Sequence, residues 1–295
     1  MKKMIHDSIQ KSRMELEMTG KERDERLRFP EKVTVFQNVG YPKTNPPALP
    51  MDIYRPAGNR KILPVVINVH GGGLVMGNKE FNRFFCAELC QLGFLVFAIE
   101  YQLVPEVQVY QQFADVNTAL GVVSNLIPLY GGDSNHLYMV GDSAGAYLAI
   151  YTAAMQRSSV LAEAAGVKTG GLPIKALGLI SGMFYTRKMD SIGLFLPKLL
   201  YGRDYKKYPF LPYIDPEHPE IVNNLPPSYL ITSRNDHLRR YTTDFAKALK
   251  KQKVPYQLRD YPKNKKLTHA FSVFEPQMEE SREAVKEMAD FLLKY

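Results

Sequence analysis

The stretch Gly141-Asp142-Ser143-Ala144-Gly145 lies between the apolar run Leu137-Tyr138-Met139-Val140 and a helix-like segment, Ala146-Tyr147-Leu148-Ala149-Ile150. A serine between two glycines at a strand-to-helix junction requires a turn so sharp that its neighbours must be small. The serine hydroxyl then stands clear of the sheet edge at a helix N-terminus, the arrangement called a nucleophile elbow. A chain carrying it must build a sheet in which a buried strand feeds straight into a helix. Ser143 is the candidate nucleophile.

Three fixed positions in five also occur in plain glycine-rich turns, so the surroundings decide. Some seventy residues upstream, His70-Gly71-Gly72-Gly73 follows Pro64-Val65-Val66-Ile67-Asn68-Val69, a continuous apolar run that reads as a buried strand. Consecutive glycines let backbone N–H groups converge on one point, because no side chain blocks their approach. That is what an oxyanion hole needs, and losing one such donor typically costs about 10²- to 10³-fold in rate. The expected donors are the amides of Gly71, Gly72 and Ala144. A phosphate-binding loop is the competing reading, but no Lys-Ser/Thr follows and no Gly-x-Gly-x-x-Gly spacing is present.

A serine hydroxyl needs a base to take its proton and a carboxylate to hold that base in one tautomer. Downstream of Ser143 the histidines are His218, His237 and His269. His218 sits among prolines and His237 abuts Asp236, whereas His269 follows an expected strand over 255–261 and a lysine-rich loop. His269 is the expected base. Asp236 follows the apolar run 228–233 and so emerges at the carboxyl end of a strand, where functional groups gather in open α/β sheets. Asp244, inside an amphipathic helix pattern, and Asp260, within a strand, read instead as solvated surface carboxylates. The order Ser143, Asp236, His269 is that of an α/β-hydrolase.

On these residues the chain resembles the hormone-sensitive-lipase-like family of α/β-hydrolase esterases, the bacterial group marked by His-Gly-Gly-Gly and Gly-Asp-Ser-Ala-Gly. The resemblance extends to Glu100-Tyr101-Gln102-Leu103-Val104-Pro105-Glu106, to Arg234-Asn235-Asp236-His237-Leu238 and to His269-Ala270-Phe271. The chain departs from the family pattern at Gln102, usually arginine, and at Ala146 and Ala270, commonly glycine. The resemblance implies that His70 orients the glycine loop and is not a base. It also implies a cap closing over the serine.

Periodicity supports one α/β domain. Strands are expected near 33–37 and 51–54, then at 64–69, 94–99, 137–141, 175–180, 228–233 and 256–261. Helices are expected at 80–92, 110–126, 144–156, 240–252 and about 277–293. This alternation means a mostly parallel sheet covered by helices on both faces, with an antiparallel beginning. Residues 30–180 and 226–295 form the expected catalytic body, and residues 1–29 and 181–225 a small helical cap. The N-terminal part reads as amphipathic. The insertion carries Phe184, Tyr185, Phe195, Tyr201, Tyr205, Tyr208, Phe210 and Tyr213, expected to form the cap's own core more than a substrate wall.

Composition narrows the alternatives. At 295 residues with 45% hydrophobic content the chain can bury one large core, which excludes disorder. No apolar run reaches the roughly 18 residues of a spanning helix, and the charge-dense first 28 residues lack a signal peptide's apolar block, so a cytoplasmic location without stable membrane association is expected. Cys86 and Cys90, four apart on one expected helix, read as buried packing and not as metal ligands; no metal and no cofactor are expected. The net charge of +8 gathers in Lys247, Lys250, Lys251 and Lys253 and in Lys263, Lys265 and Lys266. With no nucleic-acid motif beside them these read as solvated faces, so no nucleic-acid partner is expected. The expected function is hydrolysis of a small short-acyl ester through an acyl-enzyme, and a homodimer is compatible with it. The alternatives are a non-catalytic ligand-binding relative and an amidase or acyltransferase using the same triad.

Overall fold

The computed structural model describes residues 2–40, 49–188 and 190–295, with backbone only for 2–5 and 191–195. Phe195 therefore lies outside the described side chains, as residues 1, 41–48 and 189 of the expected cap and body lie outside the described chain. The chain begins with α1 (Lys2–Arg26), β1 (Val33–Val39), β2 (Met51–Pro56) and β3 (Leu63–Val69). Then come α2 (Arg83–Gln91), β4 (Leu95–Ile99), α3 (Val109–Leu126), β5 (Gly132–Asp142), α4 (Ala144–Met155), α5 (Ser159–Ala165) and β6 (Ile174–Ile180). After β6 the insertion carries α6 (Ser191–Leu200), two short 3-10 turns and α7 (Pro219–Val222). The chain closes with β7 (Ser228–Ser233), α8 (Arg239–Lys251), β8 (Tyr256–Tyr261), α9 (Phe271–Phe274) and α10 (Glu279–Leu292).

The eight strands form one sheet in the order β1-β2-β4-β3-β5-β6-β7-β8. The pairs β1/β2 and β2/β4 are antiparallel and all later pairs parallel, as the alternation predicts. From β3 the chain steps to one side to make β4 and then to the other side to make β5. That reversal opens a crevice at the carboxyl ends of β3 and β5, where open α/β sheets place their ligands. The loop beginning at His70 leaves β3 there, and Ser143 leaves β5 beside it.

Side chains alternate across the sheet with period two. Val65, Ile67 and Val69 of β3 join the core layer that contains α3, α4 and residues of α8. Val66 points the other way, into a layer with α2 and α10. Because both faces are covered, the central strands are apolar throughout; every residue of β4 and β7 is buried. Cys86 and Cys90 pack in the second layer, where burial pushes the Cys90 thiol up to about 12 and the Cys86 thiol well above its usual range. Among the described residues, no helix is long and apolar enough to cross a membrane.

The reading of α1 as amphipathic needs correction. Among its described side chains only Ile9, Gly20 and Arg23 are buried, while Met14 and Met18 are exposed. Cations attach this helix instead of an apolar stripe. Arg13 donates to the carbonyls of Val75 (2.7 Å) and Val104 (3.0 Å) and forms a two-point ion pair with Glu106. Arg23 lies 4.6 Å from the Phe81 ring centre, and Arg26 pairs with Glu275. The helix is thereby tied to the loops after β3 and β4.

The aromatic residues of the insertion join the main core instead of forming one of their own. Tyr201 and Phe210 are fully buried and meet Tyr110, Phe113, Tyr147 and Tyr151 of α3 and α4. A chain of hydroxyls runs from Tyr147 through Tyr201 to Thr186 at 2.6 and 2.7 Å, so these buried phenols are satisfied.

Candidate active site

Packing dictates the two glycines of the elbow. A Cβ on Gly145 would stand 2.0 Å from the Val69 carbonyl oxygen at the end of β3, and one on Gly141 would stand 2.5 Å from the Gly145 carbonyl carbon. Both obstacles are backbone and cannot rotate away. Gly145→Ala is therefore expected to destabilise the protein by about 3 kcal/mol or more, the upper end of overpacking costs, seen as a large loss of Tm or as insoluble protein. Between them Ser143 adopts φ 49°, ψ −114°, a strained conformation for a residue with a side chain. The strain is held by neighbours: Ser143 N–H donates to the Ile180 carbonyl (2.8 Å), and the Ser143 carbonyl accepts from Met183 N–H (2.9 Å).

The loop after β3 is fixed from beneath. The His70 ring is fully buried and stacks on Tyr101 at 4.2 Å. Its Nε2–H donates to Glu100 (2.8 Å) and its Nδ1–H to the Gly71 carbonyl (2.8 Å). An acceptor at each nitrogen favours the doubly protonated ring. Burial works against that charge, but Glu100 outweighs it and the His70 pKa is raised. This is the orienting role that the resemblance implies. Gly72, at φ 112°, must be glycine because a Cβ there would lie 2.0 Å from the Met76 carbonyl oxygen. Gln102, in the usual arginine's place, donates through its backbone and side-chain amides to Asp115, whose pKa burial raises.

Of the three expected oxyanion donors, Gly71 already has an acceptor within the protein. Gly71 N–H donates to Asp142 Oδ1 at 3.0 Å, inside the protein, and so points away from the crevice. Asp142 is fully buried; burial raises its pKa, and it also accepts from Asn82 Nδ2 (2.8 Å). It thus ties the glycine loop to the elbow, a role that no local sequence signal announced. The amides of Gly72, Gly73 and Ala144 find no acceptor among the described residues.

Asp236 and His269 come together. His269 Nδ1–H donates to Asp236 Oδ1 at 2.8 Å, and the same carboxylate accepts from Leu238 N–H (2.8 Å) and Thr232 Oγ1–H (3.1 Å). Burial alone would raise the Asp236 pKa, but His269 and the other donors prevail and hold it below the usual carboxylate range. His269 is partly exposed at the crevice edge. Ser143 Oγ itself has no hydrogen-bond partner among the described residues. Catalytic hydrogen bonds often tighten only once substrate is bound.

Ser181 was not foreseen. Buried just after β6 with φ 49°, it accepts from Ala270 N–H (3.0 Å), and its hydroxyl helps to hold the Asp236 pKa down. The turn it begins therefore touches both the elbow, through Met183, and the histidine loop. Ala270, where the family commonly has glycine, takes the left-handed conformation that glycine would take freely. His237 also gains a place the sequence left open: it is exposed, with its ring centre 4.4 Å from that of His269.

Asp244 and Asp260 are not simply solvated. Asp244 pairs with Lys188 of the insertion (2.5 Å) as well as Lys247, and Asp260 takes a two-point bond from Arg239. Opposite charges distant in sequence recruit them, and neither reaches His269's ring. The lysines of the 263–266 loop are exposed, as expected. Two recesses of about 320 and 410 Å³, one beneath α1 and one beside residues 185–188, include none of Ser143, Asp236 and His269 in their walls.

A family model described as the alpha/beta hydrolase fold matches residues 66–272, from β3 through the histidine loop. The chain belongs to the hormone-sensitive-lipase-like α/β-hydrolase family. Esterase B from Lactobacillus rhamnosis, a solved structure, is similar to this hydrolase over 99% of the chain and 96% of its own, at 28% identity and TM-score 0.90. Carboxylesterase NlhH from Mycobacterium tuberculosis is 25% identical over 79% of the chain and 75% of its own length. Isoprenylcysteine alpha-carbonyl methylesterase from Arabidopsis thaliana is 26% identical over 63% of the chain, which spans 46% of that relative's length. The hydrolase thus matches less than half the length of its curated plant relatives.

Proposed function

We propose that this hydrolase is a serine carboxylesterase for small short-acyl esters, with Ser143 as nucleophile, His269 as general base and Asp236 as its orienting acid. The observation that carries the reading is the Asp236–His269 hydrogen bond, at the sheet edge from which Ser143 also emerges. Asp236 keeps the proton on Nδ1 and leaves the Nε2 lone pair free for the serine hydroxyl. Ser143 Oγ then attacks the ester carbonyl carbon while its proton passes to Nε2. The oxyanion is held by the amides of Gly72, Gly73 and Ala144, with Gly71 serving Asp142 instead. The carbon–oxygen bond to the alcohol breaks, His269 returns the proton to that oxygen, and water releases the acid by the same route.

Residues 1–29 and 181–225 form the cap in this reading, over a body of residues 30–180 and 226–295. A short-acyl preference is supported by the Esterase B structure inhibited by a tributyrin-type phosphonate. The test is hydrolysis of p-nitrophenyl esters from acetate to palmitate. The expected profile peaks at short acyl chains and falls steeply towards palmitate. No turnover at any length, together with no labelling by a serine-reactive phosphonate, would point to a ligand-binding relative; turnover of the matching anilides at comparable rates would point to an amidase.

A further inference from the structure

We propose that His237 and His269 form a binding site for a borderline divalent transition-metal cation such as Zn²⁺, which reversibly shuts the enzyme off. The proposal rests on reading His269 as the base. One ligand atom from each of Asp236, His237 and His269 lies within 4.8 Å of the other two, the one such group of potential ligands among the described residues. The rings of His237 and His269 lie tilted to each other with centres 4.4 Å apart. Two nitrogens bound tetrahedrally to zinc at about 2.0–2.1 Å sit about 3.4 Å apart, so the site closes by rotation of one side chain. His237 can make that movement because it is exposed and makes no hydrogen bond among the described residues.

The donor set selects the cation. Two imidazoles favour zinc, copper or nickel over magnesium or calcium, which require oxygen ligands. Asp236 already accepts from His269, Leu238 and Thr232, so it serves as the outer partner that orients an imidazole towards metal. Two protein nitrogens leave the remaining positions to water. That makes an exchangeable inhibitory site and not a resident structural one, whose four protein ligands enclose the metal. A cation on His269 Nε2 occupies the lone pair that must accept the Ser143 proton, so occupancy and turnover exclude each other.

The test titrates ZnCl₂ against p-nitrophenyl butyrate hydrolysis by the wild type and by His237→Gln. Wild-type activity is expected to fall more than tenfold and to return on adding EDTA. His237→Gln is expected to keep zinc-free activity within twofold and to need at least tenfold more zinc. Equal sensitivity of the two proteins, or no inhibition of the wild type, overturns the site. Zinc binding is read in parallel by competition with a chromophoric chelator on wild type, His237→Gln and His269→Gln. Weaker zinc binding in both variants supports the site even if no ester is turned over, whereas unchanged binding overturns it. Magnesium at the same concentrations is expected to leave activity unaffected.

Discussion

Replacing Ser143 by alanine is expected to lower kcat on a short-chain p-nitrophenyl ester by about 10⁴- to 10⁶-fold, the range seen when a triad nucleophile is removed. Little of this loss arises from misfolding. The elbow conformation is enforced by Gly141 and Gly145 and by backbone bonds from Ser143 N–H to Ile180 and from Met183 N–H to the Ser143 carbonyl. None of these uses the hydroxyl, which has no partner among the described residues. Alanine at a positive φ retains the strain that serine bears, so Tm is expected to stay within about 2 °C, roughly the shift that 1 kcal/mol produces in a chain of this size. The residual rate reports what the amides of Gly72, Gly73 and Ala144 contribute to a water attack. A Ser143→Ala protein retaining more than a tenth of wild-type activity would sink the nucleophile assignment.

The elbow was legible in the sequence because steric demand writes itself into residue type. Where a Cβ would strike backbone at 2.0 Å, as at Gly145 against Val69, only glycine survives, and the sequence has to show it. The parallel order of the sheet was legible for a similar reason. Strands buried on both faces are continuously apolar, and they alternate with helices whose polar residues return every three or four positions. Direction was harder to read than identity. Gly71 is as much a glycine as Gly72, yet its N–H points to Asp142; the difference lies in a carboxylate 71 residues away.

Long-range partners explain the other misses. Asp244 and Asp260 read as solvated because the charges that claim them, Lys188 and Arg239, lie in other elements. Ser181 carried no signal, since a lone serine after an apolar run becomes informative only when β6 sets it beside Ala270 and Asp236. Other features were present but unread. Ser158 caps α5 by accepting from Leu161 N–H, and Gly166 ends that helix in the left-handed conformation, a start and stop visible in the sequence. The start of β5 at Gly132, five residues before the expected Leu137, is hidden by the polar Asn135-His136 pair and by an irregularity in its register with β3.

Asp236→Asn is expected to cost about 10⁴-fold in kcat at neutral pH while leaving the fold intact, and the reason is a tautomer. The introduced carboxamide can donate to His269 Nδ1, which moves the ring proton to Nε2 and removes the lone pair that Ser143 requires. The same substitution carries a stability signature whose sign follows from the folded pKa of Asp236, depressed below its ordinary value although burial opposes this. A depressed carboxylate contributes stability that is fully present above the unfolded value near 3.9 and is lost as pH falls through the lower folded value. Wild type is therefore expected to be the more stable protein at pH 7. The gap in Tm between it and Asp236→Asn should narrow below about pH 4, as the wild-type carboxyl takes up its proton and becomes the neutral group that asparagine already is. Parallel thermal melts from pH 3 to pH 7 measure this directly. A gap that stays constant across that range would mean that the Asp236–His269 contact contributes to stability by shape alone, and the charge that orients the base would have to be sought elsewhere.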